Sequence, residues 1–157
     1  MRRLSIILAT GFGLGFSPFA PGTVGSVWGV LIVLVVNSHL GVAWQIGIAA
    51  ALSLLAIPIC DVAEKFFVKK DPGCIVADEY LTFPICMIGL PVGLEYWWIL
   101  AFAFCSNRFF DIVKLPPARK LQDLHGGLGI TIDDVFASAY SLAANHVFYW
   151  VVVKYVL

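Results

Sequence analysis

The stretch from Asp133 to Leu157 reads DDVFASAYSLAANHVFYWVVVKYVL. Two adjacent carboxylates lead directly into 23 residues in which Lys154 is the single charge. A membrane-spanning helix needs about 20 apolar residues, so the segment is long enough to cross a bilayer. The two acids then stand where hydrocarbon begins. An ionised carboxylate is costly to desolvate there unless a cation meets it, and a divalent metal ion is the natural partner for a pair.

The same pattern extends outward along the chain. Residues 42–60 (VAWQIGIAAALSLLAIPIC) also suffice for a span, whereas 24–38 (VGSVWGVLIVLVVNS) and the two halves of 81–107 are short. The 81–107 region is broken at Gly89-Leu90-Pro91-Val92-Gly93 and reads as a helical hairpin turning at Pro91. The expected fold is all-α: an integral membrane helical bundle with several short or broken transmembrane helices and a polar cytoplasmic face. Residues 1–157 form one membrane-embedded domain on this reading, with three to five crossings.

Composition agrees. The chain is 61% hydrophobic and 13% charged, with mean hydropathy +0.92, against about a quarter charged in soluble domains. Sixteen of the twenty charged side chains fall in two windows, 61–79 and 108–134. Ten basic and ten acidic residues cancel, which excludes a nucleic-acid partner because phosphate neutralisation needs a basic face. Cys60, Cys74, Cys86 and Cys105 contain no CxxC pair and read as apolar fillers or free thiols. Arg2-Arg3 before an apolar run resembles a secretory signal, but Pro21 follows the one small residue that a cut could use, Ala20, so the segment is expected to be retained.

Arg2, Arg3, Lys65, Lys69, Lys70, Arg108, Lys114, Arg119 and Lys120 all belong to segments on one side of the hairpin arrangement, and the turns at 38–41 and 91–95 carry no Lys or Arg. By the positive-inside rule that side is cytoplasmic. Trp44, Tyr96, Trp97 and Trp98 lie next to the opposite turns, where an aromatic belt or ordinary packing would place them.

Three polar blocks converge on the cytoplasmic side. GFGLGFSPFAPGTVGS (11–26) lacks the GxGxxG spacing of a dinucleotide fingerprint. It reads as a loop of little bulk leading into a helix that Thr23 would cap, and either phosphate binding at the helix start or close packing through Gly25 and Gly29 would use it. In KDPGCIVADEY (70–80), Asp78 and Glu79 open an apolar segment at a helix N-terminus. Capping explains one acid; two suggest metal ligation. In 108–134, Arg108, Asp111 and Lys114 recur every three residues on one helical face until Pro116-Pro117 stops the helix.

GFGLGFSPFAPGTVGS, DPGCIVADE, FFDIVKLPP and HGGLGITIDD, in this order and covering roughly residues 9–138, resemble the signature blocks of the phosphatidylglycerophosphatase A family. Leu115, where the family pattern usually has proline, and Ser138, where it usually has glycine, depart from it and bear on backbone shape. The resemblance implies a bacterial inner-membrane enzyme that removes the terminal phosphate of the phospholipid phosphatidylglycerophosphate to give phosphatidylglycerol, with Mg2+ required.

Other phosphatase chemistries do not fit. A cysteine-phosphatase loop needs Arg six positions after Cys, and here those positions hold Phe66, Tyr80, Val92 and Asp111. No Asp-x-Asp pair is present for an aspartyl-phosphate route. The expectation is therefore metal-assisted hydrolysis. Asp78, Glu79, Asp133 and Asp134 hold one or two Mg2+, and Asp111, with Asp78, is the catalytic carboxylate, as an additional ligand or as general base. Arg108 and Lys114 hold phosphate oxygens, with Lys114 also offsetting charge in the transition state, and Thr23, Ser26 and His125 are further substrate contacts. The alternative from another class is a small cation-coordinating transporter or channel, which internal duplication would favour; none is visible in the sequence.

Overall fold

A computed structural model describes residues 2–69, 72–121 and 123–156, Arg2 by its backbone only. The charges singled out at Arg2, Lys70 and Asp71 lie outside that description. All described elements are helical: α1 Arg2–Ala9, α2 Pro21–Gly25, α3 Val27–His39, α4 Val42–Phe67, α5 Ala77–Thr82, α6 Trp97–Val113, α7 Ala118–Leu121 and α8 Gly127–Tyr155, with 3-10 turns at Leu14–Phe16, Phe83–Met87 and Leu94–Tyr96. Three helical runs are long and apolar enough to cross a membrane: Pro21–His39, Val42–Phe67 and Gly127–Tyr155.

Each run is longer than its apolar letters alone indicate. Ser26 keeps right-handed helical geometry between α2 and α3 (φ −61°, ψ −15°), so the first run reaches 19 residues, and the expected shortness of 24–38 does not hold. α4 continues past Cys60 through Asp61, Glu64 and Lys65, where a lysine–aspartate pair one turn apart (2.6 Å) supports it. α8 begins at Gly127, two turns before the acids, rather than at 135. At about 1.5 Å per residue its 29 residues extend roughly 43 Å, more than the ~30 Å of hydrocarbon, which leaves the turns bearing Asp133 and Asp134 room at the interface.

The expected hairpin is present, with unequal arms. Its second arm is α6, 17 residues long. Its first arm is only α5 and the tight turn Phe83–Met87, with Pro84 in the first positions of that turn. Backbone groups there lack helix partners, and polar side chains from three helices supply them, Gln45 and Asn145 from buried positions. Asn37 on α3 donates to Met87 O (2.7 Å) and Leu90 O (3.2 Å). Gln45 on α4 accepts from Gly89 N (2.8 Å). On α8, Asn145 donates to Cys86 O (2.8 Å), and His146 Nε2 lies 2.9 Å from Ile88 O. An irregular segment at membrane depth is tolerated only when enclosed and hydrogen-bonded in this way.

Asn37 near the end of α3 and Gln45 near the start of α4 both reach the hairpin turn, so the 38–41 and 88–96 turns share one end of the bundle. Trp44 and Trp97 are exposed there, while Tyr96 and Trp98 pack on Tyr149 and Phe148, so half of the expected belt is a packing cluster. Leu31, Val35, Leu54, Leu55, Val147 and Trp150 are exposed along the sides, as a lipid-facing surface requires.

A row of uncharged polar groups locks α6 to α8. Ser138 donates to Asn107 Oδ1 (2.9 Å), and Ser106 Oγ lies 2.5 Å from Ser141 Oγ and 2.8 Å from Asn145 Oδ1; all five residues are buried. Such bonds contribute only about 0.6–1.7 kcal/mol each in membranes, but together they fix the register that puts Arg108 and Asp111 beside Asp133 and Asp134.

Cysteine reporters at Lys65 and Arg119, in a background without the four native cysteines, should react with an impermeant thiol reagent from the same face of oriented vesicles, and a reporter at Val92 from the opposite face. Labelling of all three from one face would overturn this topology.

Candidate active site

At the end of the bundle opposite the hairpin turn, α5 begins with Ala77, Asp78 and Glu79. Val76, the residue before it, donates to Ala9 O (2.8 Å) and presses on Gly25, where an added Cβ would come within 2.5 Å of its side chain. A Cβ at Gly29 would be 2.6 Å from Phe83, and one at Gly22 would be 1.9 Å from Glu79 Oε1. Gly22, Gly25 and Gly29 therefore serve close packing of α2 and α3 against the α5 arm. Gly22 in particular leaves the space that the Glu79 carboxylate fills.

Thr23 does not cap a helix. Ala20, left-handed at φ 42°, occupies the cap position, and Pro21 begins the helix without a side-chain cap, which puts Thr23 half-buried inside α2 and outside the cavity lining. Ser26 is buried at the α2–α3 junction, its hydroxyl 2.8 Å from Gly22 O and 3.2 Å from Glu79 Oε2.

Glu79 meets Arg108 on α6: Nη1 donates to Glu79 Oε2 (3.1 Å) and to Asp111 Oδ2 (2.9 Å). One guanidinium nitrogen thus bridges two carboxylates. Nε of Arg108 is buried and has no hydrogen-bond partner among the described residues. Lys114 does not stay on the Arg108–Asp111 face as its spacing suggests. It ends α6 in the left-handed region (φ 49°, ψ 69°), and its ammonium donates to Asp133 Oδ2 on α8 at 2.6 Å. That conformation is uncommon for a residue with a Cβ and carries strain of about 1 kcal/mol or more.

Asp78, Glu79, Arg108, Asp111, Lys114, Asp133 and Asp134 line a single cavity of about 330 Å³, with Ala20, Pro21, Gly22, Gly73, Ile75, Ile112 and Ile130. His125 is exposed outside that lining. Among the lining residues that the sequence did not single out, Gly22 is the informative one. Its signal was present as the missing side chain in a block that fits no dinucleotide motif.

Among the described residues, five carboxylates face two permanent cations. Burial pushes the Glu79 carboxyl, outside the three spanning runs, up to about 7; Arg108 opposes this and Asp111 adds to it. For Lys114, burial lowers the ammonium's proton affinity, but the bond to Asp133 and the nearby acids outweigh it and raise the pKa. Hard carboxylate oxygens in excess are the donors that Mg2+ takes, so the chemistry of the set suits a divalent cation. Among the described residues no three His, Cys, Asp or Glu side chains already stand together as a cation site. The ion pairs account for this, because Arg108 draws Glu79 and Asp111 to one nitrogen and Lys114 draws Asp133 to another.

Fold and cavity together define a helical integral membrane protein with a carboxylate-rich site, bridged by a guanidinium and an ammonium, at one end of its spanning helices. The chain belongs to the phosphatidylglycerophosphatase A family, whose pattern it matches over residues 7–149. A Haemophilus influenzae phosphatidylglycerophosphatase A is 38% identical over 148 residues, covering 90% of each chain. The Escherichia coli protein of the same name is 33% identical over 143 residues, 86% of this chain and 77% of that one. A Bacteroides thetaiotaomicron protein, provisionally named as a phosphatidylinositol-3-phosphatase, is 35% identical over 153 residues, 95% of this chain and 96% of its own. No solved structure matches at a significant level.

Gly22→Ala should lower the thermal midpoint in detergent, since the new methyl displaces Glu79 from Arg108, and breaking a largely buried pair costs about 3 kcal/mol. Glu79→Ala should then cost much less in the Gly22→Ala background than in the wild-type protein, because the pair it removes is already broken there. Full additivity in this double-mutant cycle would show that the two positions do not meet.

Proposed function

We propose that this protein is a Mg2+-dependent phosphatidylglycerophosphatase of the bacterial cytoplasmic membrane, hydrolysing phosphatidylglycerophosphate to phosphatidylglycerol and phosphate from a cavity on the cytoplasmic face. The observation that carries the reading is the meeting of Asp78, Glu79, Asp111, Asp133 and Asp134 with Arg108 and Lys114 in one cavity, in a family named for that reaction. The basic residues Lys65, Lys69, Arg119 and Lys120 on the cavity's side of the bundle support the cytoplasmic orientation.

The residues divide the work by chemistry. Arg108 has its Nη1 on two carboxylates and a buried Nε without a partner among the described residues, so its other edge is the one to meet phosphate oxygens in a fork. Lys114 adds a second positive group against charge developing on the phosphoryl oxygens. Asp111, half-buried and held by Arg108, takes the proton from the attacking water. The water oxygen forms the new P–O bond, the bond to the glycerol oxygen breaks, and the abstracted proton goes to the leaving alkoxide. Ser26 positions Glu79 instead of touching substrate. Asp78, Glu79, Asp133 and Asp134 would hold Mg2+, which when bound supplies neutralisation of phosphate charge and a template for in-line attack.

The Bacteroides relative's name supports a second substrate, a phosphoinositide carrying a 3-phosphate. Phosphate release by purified protein from the two lipids in mixed micelles decides between them. Phosphatidylglycerophosphate should be turned over at least ten times faster, and only with Mg2+. Release from neither lipid, together with cation flux through reconstituted vesicles, would favour the transporter reading.

Glu79→Gln and Asp134→Asn should each reduce phosphate release below about a tenth, a barrier increase of more than about 1.4 kcal/mol, with the protein still extractable and folded. Arg108→Lys should also impair turnover, because an ammonium keeps the charge but cannot form the fork. Near-normal rates in Arg108→Lys would reassign that side chain to anchoring the helix.

A further inference from the structure

The two cations in the cavity are held differently. Arg108 sits within α6 and engages Glu79 and Asp111 through one nitrogen, and its buried Nε has no hydrogen-bond partner among the described residues. Lys114 lies just beyond the helix in a left-handed conformation, and its ammonium is on Asp133. The side chain of Lys114 is 29% exposed and that of Asp133 is 9% exposed.

The partners also differ in freedom to move. Asp133 is on α8, whose first turn is wedged against α4 so tightly that a Cβ on Gly127 would be 1.9 Å from Ile57 O. Lys114 has a four-carbon stem and no helix on its C-terminal side before Ala118. If this pair separates, the lysine is the member that moves. Asp133 is too buried to be left without a positive partner, since an uncompensated charge there would cost several kcal/mol. A divalent cation satisfies that need as well as an ammonium does, and the two positive groups repel each other at one carboxylate.

We propose that Lys114 is an exchangeable placeholder: its ammonium neutralises Asp133 while no divalent cation is bound, and it transfers to the substrate phosphate when a cation takes that carboxylate. This rests on the phosphatase reading and adds an order of events to it. Arg108 is a standing receptor for phosphate, and Lys114 is a conditional one. Phosphate affinity then rises with the divalent cation by more than direct bridging supplies, and by linkage a bound phosphate group tightens the cation by the same factor. The left-handed backbone at Lys114 fits this role, because it turns the side chain off the α6 face and into the gap between α6 and α8.

The test is acylation of Lys114 in the intact protein in detergent micelles, followed by peptide mass spectrometry with Lys154 as internal reference. Mg2+ in place of EDTA should raise the labelling rate of Lys114 about fivefold or more, as the ammonium loses a charge-assisted bond. A non-hydrolysable phosphonate analogue of a lipid phosphate should restore protection with Mg2+ present and give little without it. In Asp133→Asn, Lys114 should label rapidly with EDTA and respond little to Mg2+. The two readings fail separately. Mg2+-dependent phosphate release with unchanged Lys114 labelling in the same sample overturns the exchange alone. Absence of release from every lipid phosphate overturns the phosphatase reading, and if the phosphonate then gives no protection, transfer to phosphate falls with it.

Discussion

The contact of the Glu79 carboxylate with the bare backbone of Gly22 governs the architecture around the site. A buried carboxylate at the edge of a hydrocarbon slab is stable only with charge and hydrogen bonds brought to it. Ser26 provides a hydroxyl and Arg108 on α6 a guanidinium, and Ser26 can do so only because α2 and α3 approach α5 without side chains in between. The glycines at 22, 25 and 29 permit that approach. Arg108 then ties α6 to α5, and Lys114 ties the end of α6 to α8. The ion pairs thus join the two arms of the hairpin to each other and its second arm to α8.

The acids were legible in the sequence because charge amid apolar letters is the costliest event a membrane chain can encode. Asp78, Glu79, Asp111, Asp133 and Asp134 required no structure to be noticed, and Arg108 with Asp111 followed from a one-turn spacing. Lys114 shows the limit of that rule. Periodicity assumed that α6 continued, whereas the chain left the helix at that residue, where Lys114 N still donates to Phe110 O (2.9 Å) and the ammonium reaches Asp133 on α8. Thr23 was misread for a related reason. Ser and Thr are good caps in general, but Pro21 fixes the first helical position and thereby the frame.

The uncharged polar residues were the least legible part. Asn37, Gln45, Ser106, Asn107, Ser141 and Asn145 look like ordinary tolerated letters in apolar runs, since each is inexpensive compared with a charge. The role of Asn37, Gln45 and Asn145 depends on the 83–90 segment not being a regular helix, and that follows from a proline, a tight turn and the shortness of the arm taken together. Once the segment is irregular, its carbonyls and amides have to be satisfied inside the bundle, and the asparagines and glutamine acquire a purpose. The spacing of Ser138, Ser141 and Asn145 along one stripe of α8 was the available clue, because small polar residues at helical intervals mark a helix–helix seam.

Among the described residues, the excess of five carboxylates over two cations in the cavity also ties stability to chemistry. Each acid in the cavity raises the cost of ionising its neighbours, as the upward displacement of Glu79 by burial and by Asp111 illustrates. A cation that binds the folded site and not the unfolded chain relieves that repulsion and stabilises the fold by mass action. Replacing an acid by its amide relieves the same repulsion permanently, while removing a ligand or a base. The site is therefore a place where stabilising substitutions and functional ones are opposed. Retention of the acids is intelligible only as a requirement of what the cavity binds, since a bundle selected for stability alone would have filled it with apolar side chains.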